Sequence, residues 1–190
     1  KPFEFLDFSK IAIPLIIICI ICVLLVIKLL IKKLKIPTRM AYLISIGSTV
    51  CGTTAIMATA PVIKASKNEV SYAIANITLF GILSMLIYPY FANLYFDGDP
   101  LLIGLFLGTS IHETSQVAAA GLIYDQQFNS PETLNIATVT KLIRNTFLII
   151  MIPLFAILYN RGKTKEKSYS IISIFPYFVL GFVGMIILRN

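Results

Sequence analysis

The sequence predicts an all-α fold, a polytopic transmembrane helical bundle. Hydrophobic residues make up 57% of the chain and charged residues only 13%, and the mean hydropathy is +0.87. In soluble domains about a quarter of the residues are charged, which is roughly twice the share in this chain. A bilayer admits only helices and closed barrels, and a barrel would show short alternating segments instead of long apolar runs.

Four apolar runs are long enough to cross a hydrocarbon core, which takes roughly 20 helical residues. The most continuous run covers residues 11–31, and the others lie within 70–96, 136–159 and 169–188. We therefore expect residues 1–190 to form a single transmembrane domain. The chain starts at Lys1 and stops directly after an apolar run, so we also expect it to be a fragment of a longer protein.

The net charge of +7 is concentrated in two basic clusters. One cluster lies in residues 28–39 and the other in residues 161–167. Basic loops beside membrane spans face the cytoplasm, which predicts a multi-pass membrane protein with both loops inside. No basic face with interleaved aromatic residues is present, so the partner we expect is the lipid bilayer and not nucleic acid.

Cysteine and histidine offer little metal or cofactor chemistry. Cys19 and Cys22 form a C-x-x-C inside an apolar helix, where small packing residues are the expected interpretation. The single histidine, His112, is followed by Glu113 but not by the rest of an H-E-x-x-H motif. We expect no metal site, no bound cofactor and, without a Walker A motif, no use of ATP.

The middle of the chain reads as two copies of one unit, residues 47–95 and 108–159. GSTVCGTTAI (residues 47–56) aligns with GTSIHETSQV (108–117), and IANIT (74–78) with IATVT (136–140). Both units end alike, in PYFANLY (89–95) and PLFAILY (153–159). The ordered series of matches predicts an internal repeat.

Loop charges predict that the two copies are inverted. Each unit begins with a stretch rich in small residues, 47–60 in the first and 108–121 in the second. Lys64 and Lys67 follow the first small-residue stretch, whereas Asp125 and Glu132 follow the second. Equivalent loops of opposite sign should face opposite sides of the membrane. This requires each small-residue stretch to enter and leave on one side as a re-entrant hairpin. The alternative is that each stretch crosses the membrane as one broken helix, which would make the copies parallel.

Several polar residues in these stretches indicate a substrate site at membrane depth. Glycine and alanine alone would fit tight helix packing, but His112, Glu113 and Gln116 would not, since ionisable groups at that depth face a cavity or a partner. Inverted repeats with interrupted helices mark the substrate sites of secondary transporters.

A cationic pair completes the predicted site. Lys141 and Arg144 lie three residues apart on one helix face, within the third apolar run. Snorkelling to the headgroups is one interpretation. The other is an oxyanion site in which Arg144 presents its planar fork of donors and Lys141 adds charge. The predicted substrate-binding residues are Thr53, Thr54, His112, Thr114, Gln116, Lys141 and Arg144. His112 and Glu113 are the predicted ion-coupling groups, because histidine titrates near working pH.

Four motifs resemble the sulfate exporter family, the YeiH-like bacterial inner-membrane proteins. They are TVCGTTAIMATAPVIKA (49–65), AIANITLFG (73–81), IHETSQVAAAG (111–121) and ATVTKLIRN (137–145). The family often has aspartate where this chain has Glu113. The resemblance implies a larger protein, of which this chain is the central part, and a substrate such as sulfate or a related sulfur anion.

Together these observations predict a gradient-driven secondary transporter for a small sulfate-like or sulfonate-like anion, and not an enzyme. A homo-oligomer is compatible with this interpretation. One alternative is an intramembrane hydrolase using Ser110 and His112, although the two residues lack an evident activating geometry. The other is a structural membrane subunit without a substrate path.

Overall fold

A computed structural model describes residues 2–34 and 36–160, and these residues form eight helices with no strand among them. The helices are α1 Pro2–Leu34, α2 Thr38–Thr49, α3 Gly52–Thr59, α4 Lys67–Tyr95, α5 Pro100–Ser110, α6 Thr114–Phe128, α7 Pro131–Thr146 and α8 Leu148–Asn160. The predicted all-α class is confirmed. The basic loop at 161–167 and the apolar run at 169–188 lie outside the described residues.

Two of these helices are long and apolar enough to cross a membrane, and a bent pair forms a third candidate. The two are Phe8–Leu29 within α1 and Lys67–Tyr95, which is α4. The pair is α7 followed by α8, bent by 43° around Phe147. By contrast, α5 has 11 residues, which is about 16 Å of helix or half of a hydrocarbon core.

Local sequence signals start several of these helices. Ser66 and Glu69 form a capping box at the start of α4, with each side chain bonded to the other residue's backbone. Asp99 accepts hydrogen bonds from two backbone N–H groups in the first turn of α5, and Pro100 is its first residue. These caps satisfy backbone donors that would otherwise be unpaired.

The chain turns back on itself at the break between α2 and α3. A Cβ atom added to Gly47 would lie 2.9 Å from Cδ1 of Ile56, so the two residues are in contact. In a continuous helix, nine residues would separate them by about 13 Å along the axis. The first turns of α3 therefore pack against the last turn of α2, which makes α2–α3 a hairpin with its tip at Val50 and Cys51.

The second break, between α5 and α6, also reverses the chain. Along α5, Gly104 packs against Ile136 and Gly108 packs against Thr140, so α5 and α7 run in the same direction.

The next helix runs the other way along α7. Gly121 of α6 packs against Leu134, and Thr114, at the start of α6, accepts a hydrogen bond of 3.2 Å from Asn145. Since α6 is antiparallel to α7 and α5 is parallel to it, α5–α6 is a second hairpin, with its tip at residues 111–113.

The two hairpins enter the bundle from opposite ends of the bent α7–α8 pair. At the start of α2, Arg39 Nε donates to the Tyr159 hydroxyl at 3.1 Å, and the rings of Tyr42 and Phe155 are 5.9 Å apart. The start of α2 is thus beside the end of α8, whereas α5 starts beside the first half of α7. Both hairpins therefore reach the α7–α8 bend with their tips. The sequence repeat itself stays a prediction.

Candidate functional site at the meeting point of the two hairpins

Lys141 lies between the carboxyl ends of α2 and α5. Its Nζ atom donates to the carbonyl oxygens of Val50 at 2.8 Å and Ile111 at 3.1 Å, and the residue is fully buried, with 0% exposure. The last carbonyls of a helix have no partner within it and carry partial negative charge. The ammonium group therefore satisfies one carbonyl from each hairpin and stabilises both helix ends.

Arg144, one helical turn further along α7, binds the same two helix ends. Its Nε donates to Thr49 O at 3.0 Å, its Nη2 to Ser48 O at 2.7 Å and its Nη1 to Thr109 O at 2.5 Å. The side chain is 1% exposed. Neither cation extends to the surface of the described residues, because both are buried and turned toward the breaks.

These contacts join positions that the proposed repeat aligns. Lys141 bridges Val50 and Ile111, which the alignment pairs, and Arg144 binds the carbonyls of Ser48 and Thr109, another aligned pair. The two cations occur only in the second unit, where α7 carries them. A single helix of one unit thus holds the tips of both hairpins.

The amino end of α3 is closed by a carboxylate from the other hairpin. Glu113 accepts a hydrogen bond of 2.5 Å from the backbone N–H of Thr53. Gly52 makes this approach possible, because it adopts a left-handed conformation (φ +49°) and any Cβ atom there would overlap the Glu113 carboxylate. A negative group at a helix amino end is favourable in both charge and hydrogen bonding.

The amino end of α6 differs from the other three helix ends at the meeting point. The described residues provide no side-chain cap there. Asn145 donates to the Thr114 hydroxyl, but its Oδ1 atom and the Nδ1 atom of His112 are buried with no partner among the described residues. Lys141 and Arg144 bind the carbonyls of Ile111 and Thr109, so both charges lie near His112. This helix end therefore has no side-chain cap, two unpartnered buried polar atoms and two cations nearby.

The remaining predicted site residues are more scattered. Gln116 is buried, and its amide donates to the Thr78 carbonyl of α4 at 3.3 Å. The amide packs against Gly81, where a Cβ atom would overlap it. Thr54 is on the exposed side of α3. The structure thus brings six predicted residues to the meeting point: Thr53, His112, Glu113, Thr114, Lys141 and Arg144. Gln116 lies on α6 as well, but its side chain faces α4.

Sequence reasoning missed Asn145, Gly52 and Gly81 as members of this site. Asn145 directly follows Arg144 inside an apolar run, and a polar residue at that depth is a signal that could have been read. The glycines gave no comparable signal, because their role is to leave space for Glu113 and Gln116.

The part of the chain that the structure describes offers no set of side chains that could chelate a metal ion. No three side chains from histidine, cysteine, aspartate and glutamate lie together there. The charges at the meeting point are Lys141, Arg144 and Glu113, which sum to one positive charge. Such an arrangement favours an anion over a cation as a small ligand.

Apolar spanning helices together with two opposed hairpins define a helical membrane protein with a polar centre between broken helices. The chain belongs to the family described as conserved hypothetical protein 698, which matches residues 3–190. The family predicted from the four motifs is confirmed.

Several UPF0324 membrane proteins are similar to this chain. One from Streptococcus agalactiae is 42% identical over 173 residues, which are 90% of this chain and 51% of that protein. Another from Fusobacterium nucleatum is 37% identical over 175 residues, covering 90% and 50%. A third, from Streptococcus pneumoniae, is 36% identical over 174 residues, covering 90% and 51%. The chain spans about half the length of these relatives, and no solved structure matches it.

Proposed function

We propose that the protein is a gradient-driven secondary transporter of a small anion, sulfate-like or sulfonate-like, in the bacterial inner membrane. The activity would belong to the whole protein, of which this chain is about half by comparison with its relatives. The observation that carries the proposal is the uncapped amino end of α6 at the meeting point of two opposed hairpins. Transport, and not enzymatic turnover, is what this arrangement supports.

The hairpin architecture supports transport. In secondary transporters, substrates bind near the bilayer midplane, where helices are interrupted and their ends are free to bind ligands. Here α5, about 16 Å long, would reach from one surface to roughly the middle of the hydrocarbon core. The tip of the other hairpin arrives at the same place from the opposite end, as its contacts with Arg144 indicate.

Charge and hydrogen bonding support an anion as substrate. Helix amino ends bind oxyanions through backbone N–H groups and the helix dipole, and Glu113 already does so at the equivalent end of α3. At α6 a substrate oxyanion would take that place, beside the Thr114 hydroxyl and the NH2 group of Asn145. Arg144 uses three of its five N–H donors on carbonyls, which leaves one on each terminal nitrogen for the fork-like contact that the sequence predicted.

Replacing Thr114 with valine should weaken oxyanion binding by about ten- to a hundredfold. The substitution keeps the shape of the side chain and removes one hydrogen bond to a charged ligand, a loss of about 1.5–3 kcal/mol. The measurement is calorimetric binding of sulfate and methanesulfonate to the full-length protein in nanodiscs.

Thr146→Val is the matched control, because that hydroxyl is exposed and, among residues 2–34 and 36–160, bonds only to the Ile143 carbonyl of its own helix. Sulfate binding that is equal in both variants would place the anion elsewhere. Failure of the unmutated protein to bind any oxyanion would contradict the proposed substrate class.

The sidedness of the loops makes a second prediction. In a background without the natural cysteines, cysteine at position 33 or 67 should resist an impermeant maleimide added to intact cells, whereas cysteine at position 132 should react. Permeabilised cells, in which all three positions should react, provide the control. Equal labelling of positions 67 and 132 from outside would contradict the opposed orientation of the hairpins in the membrane.

A further inference from the structure

The position of the Lys141 ammonium group is that of a coordinated cation. Its hydrogen bonds go to backbone carbonyls at two helix carboxyl ends, Val50 at 2.8 Å and Ile111 at 3.1 Å. In broken-helix transporters, unwound carbonyls and half-helix carboxyl ends are the groups that coordinate a coupling cation. At the meeting point of α2 and α5, the carbonyls in the corresponding positions are instead bound by a lysine side chain.

The carbonyl groups around the Lys141 ammonium favour positive charge at this place. Five carbonyls from the two helix ends point at the pair of cations, namely those of Ser48, Thr49, Val50, Thr109 and Ile111. Each helix end also carries about half a negative charge. The nearby Glu113 carboxylate adds to that field, although its own hydrogen bond goes to Thr53. Without a cation between them, the two helix ends would repel each other.

We propose that Lys141 is a tethered cation that occupies the place of a bound alkali ion between α2 and α5. The protein accordingly needs no sodium or potassium ion at its centre. A compact ammonium on a four-carbon stem suits this role, because it carries a full charge and three donors that can be aimed at separate carbonyls. Being attached to α7, it also holds both hairpin tips at the α7–α8 bend. The inference stands on these contacts whatever anion the protein transports.

The test compares two substitutions that remove the charge but leave different spaces. Lys141→Ala opens a cavity lined by the carbonyls of Val50 and Ile111, whereas Lys141→Met fills most of it with an apolar chain. Thermal unfolding of the full-length protein in nanodiscs is followed in chloride salts of choline, sodium, potassium and methylammonium at equal ionic strength. Lys67→Ala, on the exposed start of α4, controls for loss of a surface charge.

The unmutated protein and Lys67→Ala should each have one Tm in all four salts. Lys141→Ala should unfold at lower temperature in choline and recover by about 3 °C or more in methylammonium or in one alkali salt, since a ligand that binds only the folded state raises Tm. Lys141→Met should show no such recovery.

Two results would overturn the proposal. One is that the alanine and methionine variants respond identically to every salt, which would mean that the carbonyls do not form a cation site. The other is a selective rise in the Tm of the unmutated protein with sodium or potassium over choline, which would reveal a separate alkali-ion site. The comparison of salts on the unmutated protein can contradict the proposal even if neither Lys141 variant folds. Because the readout is stability in different cations, its outcome is independent of whether sulfate binds.

Discussion

Replacing Arg144 with methionine should lower the free energy of unfolding by about 3–5 kcal/mol. The substitution keeps much of the side-chain volume but leaves three buried carbonyls without a donor, those of Ser48, Thr49 and Thr109. Removing one partner from a buried charged contact costs about 3–5 kcal/mol as a whole. Arg144→Lys should be intermediate, because it keeps the charge but cannot reach three carbonyls at once. The measurement is unfolding of the full-length protein in mixed detergent micelles.

Arg39 provides the matched control. It also donates a hydrogen bond from a long cationic side chain, but to a single neutral acceptor, the Tyr159 hydroxyl, and it is only partly buried. Arg39→Met should therefore destabilise the protein much less than Arg144→Met does. If Arg144→Met is no more destabilising than Arg39→Met, the contacts of Arg144 with the helix ends are not what stabilises the two hairpins.

Replacing Gly52 with alanine should cost about 2.5–5 kcal/mol, for two separable reasons. The left-handed conformation at φ +49° costs an alanine roughly 1–2 kcal/mol. The new Cβ atom also displaces the Glu113 carboxylate from the Thr53 N–H group, which removes a charge-assisted hydrogen bond of about 1.5–3 kcal/mol. Thermal or detergent unfolding measures the sum.

A double-mutant cycle separates the two costs. In a Glu113→Ala background the carboxylate is already gone, so Gly52→Ala should cost only the backbone strain, and the coupling energy should be about 1.5–3 kcal/mol. Gly98→Ala is the control for strain alone, since Gly98 also has positive φ (+77°) but a Cβ atom there would only make an ordinary contact, with Asn93 Oδ1 at 3.8 Å. Additive effects at Gly52 and Glu113 would show that the carboxylate does not cap α3.

Much of the fold could be predicted because membrane helices are recognisable from short stretches of consecutive residues. The apolar runs at 11–31 and 70–96 correspond to spans in α1 and α4, and the run at 136–159 corresponds to the bent α7–α8 pair. The helix breaks also fall inside the two small-residue stretches, at Val50 and Cys51 and at residues 111–113. In each case the deciding property, apolar length or small size, belongs to neighbouring residues in the sequence.

The candidate site was predictable only in part. Charged and polar residues at membrane depth, such as Lys141, Arg144, His112 and Glu113, stand out in any apolar sequence. Their partners do not, because a backbone carbonyl or N–H group has no residue type that marks it. The capping of α3 by Glu113 and the contacts of Arg144 with Thr49 therefore appear only once the chain is folded.

The sequence by itself determined that this is a helical membrane protein of the conserved hypothetical protein 698 family, with polar breaks in its central helices. The tertiary structure decided that both breaks reverse the chain and that one turn of α7 holds the two tips. The physical reason is the range of the interactions. Burial of an apolar run in lipid depends on some 20 consecutive residues, whereas the reversal is stabilised by hydrogen bonds between groups far apart in the chain. Arg144 and Thr49, for example, are 95 residues apart.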